Sequence, residues 1–88
     1  MPHYEFFWHA GNVEHLAEHG VEPVDAEHVI RHASAEDRSI SATSGDTVAF
    51  GYAPSQQYLC VVYRAIDAVT MYVVTAFEVP PRRKTRRR

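Results

Sequence analysis

Four short segments of strand-like composition fill the second half of the chain, and only brief turns separate them. They lie at residues 39–43, 47–52, 58–64 and 69–77, where apolar and polar side chains alternate or β-branched and aromatic residues dominate. Short turns join antiparallel neighbours, whereas parallel neighbours need a long crossover. The sequence therefore predicts a four-strand antiparallel meander.

The first half of the chain has a different pattern, with one aromatic segment followed by two helical ones. Residues 4–8 are short and rich in aromatics, which predicts an opening strand. Apolar residues at helical spacing between Asn12, a favourable N-cap, and Gly20, a favourable stop, predict a helix over residues 12–19. A second helix is predicted over residues 23–33. The expected fold class is α+β, with both helices on one face of the sheet.

The chain length of 88 residues leaves room for one domain. We expect this domain to comprise residues 1–79, with residues 80–88 forming a basic C-terminal tail. The longest apolar run, residues 59–63, is far shorter than the roughly 20 residues that span a bilayer. The single cysteine, Cys60, cannot form an intramolecular disulfide. These features predict a cytoplasmic protein with no membrane partner.

Charge is distributed unevenly along the sequence. Residues 1–81 contain three basic residues and all eleven acidic ones, a formal charge of −8, whereas residues 82–88 contain six basic residues. Six cations within seven positions can displace several counterions from RNA or DNA. We therefore expect the tail to bind RNA through Arg82, Arg83, Lys84 and Arg86.

Two other roles for the tail are consistent with its composition. A solvated terminus of this kind would only aid solubility. Alternatively, the tail pairs with acidic side chains of its own body, such as Glu14, Glu18 and Glu22. Composition does not choose among the three roles.

A series of short motifs runs through nearly the whole chain. They are Trp8, Asn12, His15-Leu16 with His19-Gly20-Val21, the Phe50-Gly51 step, the strand Val61-Val62-Tyr63, and Val74-Thr75-Ala76 ahead of the basic tail. In this order they resemble the BrnT-like toxins, which belong to the RelE-like group of small ribonucleases from toxin–antitoxin modules.

The resemblance implies a RelE/BrnT-like α+β fold and a function. The function is that of a metal-independent endoribonuclease, the toxin of a type II toxin–antitoxin module. The partners it implies are RNA and a cognate antitoxin protein, through which the pair would bind operator DNA. It implies no cofactor, and it leaves a homodimer open.

Two positions depart from the BrnT-like pattern. Members of the family commonly carry arginines where this chain has Asp46 and Phe77. A ribonuclease that uses the ribose 2′-hydroxyl needs cations around the phosphate, and an aspartate there would repel the substrate. Either Arg64 and the tail supply those cations, or the chain has lost the chemistry and is a non-catalytic RNA- or protein-binding module on the same scaffold.

Catalysis would also need an acid and a base. We expect Arg64, with the basic tail, to stabilise the phosphorane, and Tyr63 and His19 are the candidates for acid and base. Strand periodicity places Tyr58 and Arg64 on one face of one strand, and Tyr72 is expected to share that surface from the next strand. These residues could stack bases and hold phosphates, or the tyrosines could be ordinary amphipathic rim residues.

Two histidine pairs suggest a third alternative, a small metal-binding protein. His15 and His19, and likewise His28 and His32, are four residues apart, a spacing that lets both rings of a helical pair reach one metal. Both pairs fall on helix faces that we expect to be solvated, so we predict no metal site. Cys60 lies within an apolar strand and is predicted to be a buried thiol, not a nucleophile.

Overall fold

A mixed five-stranded sheet with two helices makes up the fold. The computed structural model describes residues 4–81. In chain order the elements are β1 (Glu5–Phe7), α1 (Ala10–Glu18), α2 (Pro23–His32), a short 3-10 helix (Ala35–Asp37), β2 (Arg38–Ile40), β3 (Thr47–Tyr52), β4 (Tyr58–Ala65) and β5 (Thr70–Glu78).

Strands β2 to β5 form the predicted antiparallel meander, and the α+β fold class is confirmed. The sheet order is β1-β5-β4-β3-β2. Strand β1 lies parallel to β5 and pairs Glu5 with Thr70 and Phe7 with Tyr72. The sequence predicts the opening strand but not this partner, because the pairing joins the two ends of the described chain and leaves no local signal.

The start of α1 differs from the prediction, because His9 and not Asn12 is the N-cap. The His9 ring accepts a hydrogen bond from the Gly11 backbone N–H at 2.9 Å, and Asn12 Oδ1 accepts one from the His9 N–H at 2.9 Å. This reciprocal capping box extends the helix by two residues. Within residues 4–81, no helix is long and apolar enough to cross a membrane.

Asn12 has a second task at the end of β1. The residue is 4% exposed, and its Nδ2 donates to the carbonyl oxygens of Phe7 at 3.2 Å and Val73 at 3.3 Å. Strand β1 stops at Phe7, so the β5 carbonyl beyond that point has no β1 partner in the ladder. The Asn12 side-chain amide supplies the missing donor. Without it, a buried backbone carbonyl would lack a hydrogen bond, which would destabilise the fold.

The hydrophobic core lies between the sheet and the helices. Helix α1 packs on β5, and α2 packs on β3 and β4. Arg38 holds the edge strand to this layer, because Nη1 donates to the Tyr63 hydroxyl at 2.8 Å and Nη2 to the Ala33 carbonyl at 2.9 Å. The largest fully buried side chains are Leu16, Val29, Ile30, Leu59, Val61 and Val73.

A bulge interrupts the pairing of β4 with β5. Val62 pairs with Thr75 but Tyr63 pairs with Val73, so Val74 has no partner across the ladder. Strict alternation along β5 predicts Val74 and Ala76 on the same face as Tyr72, and this prediction is wrong for Ala76, which is fully buried in the core. An extra residue in one strand reverses the faces of the residues beyond it.

Candidate nucleic-acid interface

The sheet face that points away from the core is the candidate site, and we call it the open face. Its side chains alternate along β3, β4 and β5 with the core residues, and most of them are half-buried or exposed. Strand register groups them into four rows across the sheet. In order along β4 the rows are Tyr52 with Tyr58; Phe50, Cys60 and Phe77; Val48, Val62 and Thr75; and Asp46, Arg64, Tyr72 and Phe7.

Three aromatic rings cluster at the Arg64 end of the open face, and we call them the aromatic trio: Phe7, His9 and Tyr72. The ring centroids of His9 and Tyr72 are 5.8 Å apart and the rings are stacked. The Phe7 ring lies 5.7 Å from His9 and 6.1 Å from Tyr72. The side chain of Arg64 is opposite Tyr72 in the ladder. A cation therefore lies beside a stacking surface, the combination that single-stranded nucleic acid requires.

The orientation of the His9 ring is fixed by its neighbours. Nδ1 accepts from the Gly11 N–H, so in the neutral ring Nε2 carries the proton and donates to the Tyr72 hydroxyl at 3.2 Å. A side chain at position 11 would displace the ring, because a Cβ there would lie 2.7 Å from His9 Cε1. The tyrosine hydroxyl keeps its own proton for another acceptor.

Arg64 and Asp46 form a two-point ion pair on the open face. Arg64 Nε lies 2.7 Å from Oδ1 of Asp46, and Nη2 lies 3.2 Å from Oδ2. The Arg64 guanidinium lowers the pKa of the Asp46 carboxyl, and the pair raises the pKa of Arg64 in return. The Asp46 side chain is only 6% exposed while that of Arg64 is 59% exposed. Asp46 therefore partly neutralises the charge of Arg64.

A second aromatic cluster lies at the opposite end of the open face. The Tyr58 ring lies 4.9 Å from the Tyr52 ring and 6.4 Å from the Phe50 ring. Tyr58 and Arg64 are at the two ends of β4, about 20 Å apart at ~3.3 Å per residue. Tyr58, Arg64 and Tyr72 thus share one face of the sheet, as predicted, but they do not form one patch. Arg64 and Tyr72 are neighbours at one end, and Tyr58 lies at the other end.

The three predicted catalytic residues lie in different places. Tyr63 is 7% exposed on the core face, and its hydroxyl accepts from Arg38. His19 ends α1 beside β5, with its ring 6.1 Å from that of Phe77. Phe77 pairs with Cys60, four residues and about 13 Å along β4 from Arg64. The structure does not bring Arg64, Tyr63 and His19 together.

The remaining predicted RNA-binding residues are in the tail. Arg82, Arg83, Lys84 and Arg86 lie outside the described residues.

The histidine pairs and the cysteine complete the candidates from the sequence. The rings of His15 and His19 are 5.2 Å apart, and those of His28 and His32 are 4.3 Å apart. Among residues 4–81, no group of three or more histidine, cysteine, aspartate or glutamate side chains could hold a metal ion, so a four-histidine site is not assembled there. Cys60 is buried, and burial raises the pKa of its thiol, as befits a structural cysteine.

Phe7 and His9 are the site residues that sequence reasoning missed. Alternation along β1 separates Phe7 from Phe6, which packs against the core. That pattern does not reveal which strand Phe7 will adjoin. The sequence does not predict the role of His9 either, because its contact with Tyr72 depends on the parallel pairing of β1 with β5.

No protein-family model, curated protein or solved structure matches this chain significantly. The resemblance to BrnT-like toxins therefore stays a prediction.

Proposed function

We propose that this chain binds single-stranded RNA across the open face of its sheet. The observation that carries the proposal is the aromatic trio beside the 59%-exposed side chain of Arg64. Unstacked bases gain about 1–3 kcal/mol each by stacking on aromatic side chains. A guanidinium next to them can hold a phosphate or stack on a base. Tyr72 and Arg64 thus form the centre of the proposed site.

The second aromatic cluster extends the proposed path along β4. A strand of several nucleotides could stack one base on the aromatic trio and another on Tyr58, with the row of Val48, Val62 and Thr75 between them. The basic tail follows the end of β5, where the Val79 N–H donates to the Tyr58 carbonyl. The tail therefore begins at the Tyr58 end of the open face.

Charge assigns different tasks to the open face and the tail. Residues 1–81 carry a formal charge of −8, which repels a polyanion. Stacking then has to supply the binding energy on the sheet, and the six cations of residues 82–88 supply the salt-dependent part. Substitution of an aromatic residue should weaken binding at every salt concentration, whereas loss of tail charges should flatten the salt dependence.

Fluorescence anisotropy of a labelled single-stranded RNA tests this proposal. Tyr72→Ala should weaken binding, while Tyr72→Phe, which keeps the ring, should bind nearly as the unmodified chain does. Arg64→Ala should also weaken binding, and Arg64→Lys is its matched control, since it keeps a cation at the same position on the open face. Equal affinities for Tyr72→Ala, Arg64→Ala and the unmodified chain would show that RNA does not use the open face.

A metal-independent endoribonuclease is the second candidate, and the hydrogen bond between His9 and Tyr72 favours it. An imidazole, a phenol and a guanidinium on one face are groups that can move protons and stabilise a phosphorane. His9, with its ring proton moved to Nδ1, would take the 2′-hydroxyl proton at Nε2, and the Tyr72 hydroxyl would give its proton to the leaving 5′-oxygen. Arg64 would hold the phosphate. In a toxin–antitoxin pair, the antitoxin would act by covering this face.

Cleavage of the same RNA in EDTA separates the two candidates. Cleavage that leaves 2′,3′-cyclic phosphate ends, and that disappears in His9→Gln and with a 2′-deoxy substitution at the cleaved position, would support the ribonuclease. Binding without cleavage would leave the RNA-binding module. The ion pair of Arg64 with Asp46 favours that second result, because it withdraws charge from the phosphate-holding position.

A further inference from the structure

An open pocket of about 480 Å³ lies between the start of α2 and the turn that joins β3 to β4. Two carboxylates line it from the helix, Glu22 at the N-cap and Asp25 in the first turn. Ser55 and Gln57 line it from the turn. Val24 and Pro54 add apolar surface to the wall, and the charged groups of the pocket are all negative.

Asp25 has no local partner that explains its burial. The residue is 5% exposed, yet within residues 4–81 its carboxylate makes no hydrogen bond or ion pair. A buried charge is costly unless a cation or hydrogen-bond donor compensates it. The N-terminus of α2 carries a partial positive charge that compensates the Asp25 carboxylate in part. A cationic group in the pocket would complete that compensation.

The basic tail begins next to this pocket. Gln57 Nε2 lies 3.3 Å from the Gly20 carbonyl, in the pocket wall, and 3.5 Å from Glu78 Oε1 at the end of β5. From Glu78 to Arg82 an extended chain reaches about 13 Å, at roughly 3.3 Å per residue. The first cations of the tail are thus within reach of the pocket.

We propose that this pocket binds cationic side chains of residues 82–88 of the same chain. A guanidinium or ammonium group would lie between the carboxylates of Asp25 and Glu22 and satisfy the buried charge. Of the acidic residues considered from composition, Glu22 lines the pocket, whereas Glu14 and Glu18 lie on α1. The structure thereby assigns the tail a specific acceptor on its own body.

One consequence rests on the proposed RNA binding. A cation held in the pocket is not available to an RNA phosphate, so the two would compete for the tail. Asp25→Asn in the full chain should then bind single-stranded RNA several-fold more tightly than the unmodified chain, with a steeper salt dependence.

Zero-length carbodiimide cross-linking of the full chain tests the docking itself. Lys84 is the single lysine, so each lysine cross-link identifies the position of the tail. At low salt we expect an intramolecular bond between Lys84 and the exposed Glu22, mapped by mass spectrometry of the monomer. It should fall several-fold in about 1 M salt, where the Debye length is ~3 Å. Lys84→Arg keeps the charge but removes the reactive amine, so it should abolish the cross-link.

The decisive variant is Asp25→Asn, which leaves Glu22 and Lys84 in place. Loss of the buried charge should reduce the Lys84–Glu22 cross-link several-fold, whereas Glu36→Gln, a matched change on an exposed residue, should not. Cross-links in the unmodified chain that spread over other acidic residues, or that join two chains, would overturn the docking. A Glu22-specific cross-link in a protein that binds no RNA would overturn the proposed function and leave the docking intact.

Discussion

The two faces of the sheet use the same strands for different purposes. On the core face, Leu59 and Val61 of β4 are fully buried beneath the helices. On the open face, Arg64 is exposed and Tyr58 lies in a half-buried aromatic cluster. Because side chains alternate along a strand, the core face can stabilise the fold while the open face remains accessible to a ligand. Substitutions at neighbouring positions should therefore separate stability from binding.

Leu59→Ala should have the largest effect on stability. Truncating a fully buried leucine costs about 2–5 kcal/mol, a large part of the roughly 5–15 kcal/mol that holds a domain folded. Denaturant unfolding followed by the fluorescence of Trp8 measures it. Tyr58→Ala, one residue away on the open face, should cost about 0.5–1.5 kcal/mol, as expected for loss of an aromatic pair. Equal losses for the two variants would contradict the division between the faces.

Asn12→Ala should come next, with a loss of about 1–3 kcal/mol in the free energy of unfolding. It leaves the carbonyls of Phe7 and Val73 without their side-chain donor and opens the capping box of α1. Asn12→Asp is the informative companion, because it keeps the acceptor for the His9 N–H and removes the two donors. If Asn12→Asp were as stable as the unmodified chain, the two hydrogen bonds from Asn12 Nδ2 to the Phe7 and Val73 carbonyls would not contribute to stability.

Tyr72→Ala should affect binding more than folding. Loss of one stacked base costs about 1–3 kcal/mol, or roughly 5- to 150-fold in Kd, and Tyr72 lies outside the fully buried core. Titration of labelled RNA alongside thermal unfolding gives both numbers. If Tyr72→Ala lowered the Tm but left the RNA affinity unchanged, Tyr72 would serve stability and not RNA binding, which would contradict the role proposed for the open face.

The smallest effect should be the acid dependence of the ion pair between Asp46 and Arg64. The pair lowers the pKa of Asp46 below its ordinary 3.8. Its stabilisation is therefore complete above that pH and is lost as the pH falls through the lowered value. The difference in unfolding free energy between the unmodified chain and Asp46→Asn should be constant near neutrality and shrink below pH 3.8.

Asp67 also contributes acid-dependent stability, and it does so equally in the unmodified chain and in Asp46→Asn. Hydrogen bonds from the backbone of Val69 and Thr70 lower the pKa of its carboxyl as well, so both chains should lose stability in acid. A difference between the two chains that is unchanged through the acid range would show that the Asp46 ion pair contributes no pH-dependent stability.

Local patterns were sufficient for most of the fold. Alternation and turn residues predict β3 and β4 closely, and Pro23 marks the observed start of α2. The partner of β1 and the bulge at Val74 escaped prediction, because both depend on how distant strands meet. The start of α1 was misplaced since histidine is an uncommon N-cap and Asn12 a common one.

The candidate site was predictable only in part. Alternation and the adjacency of β4 and β5 were enough to suggest Arg64 with Tyr72. The same alternation places Tyr63 on the opposite face from Arg64, since neighbouring residues of a strand point in opposite directions. Phe7 and His9 could not have been found, because a parallel pairing between the chain's ends brings them to Tyr72.

The most direct test of RNA binding on the open face is the change in NMR chemical shifts when a short single-stranded RNA is added to the full chain. We predict that side-chain and backbone signals of Phe7, Arg64 and Tyr72 move together, while those of the core residues Leu59 and Val61 stay largely unchanged. Shifts confined to α1, α2 and the tail, with Tyr72 unmoved, would contradict the account.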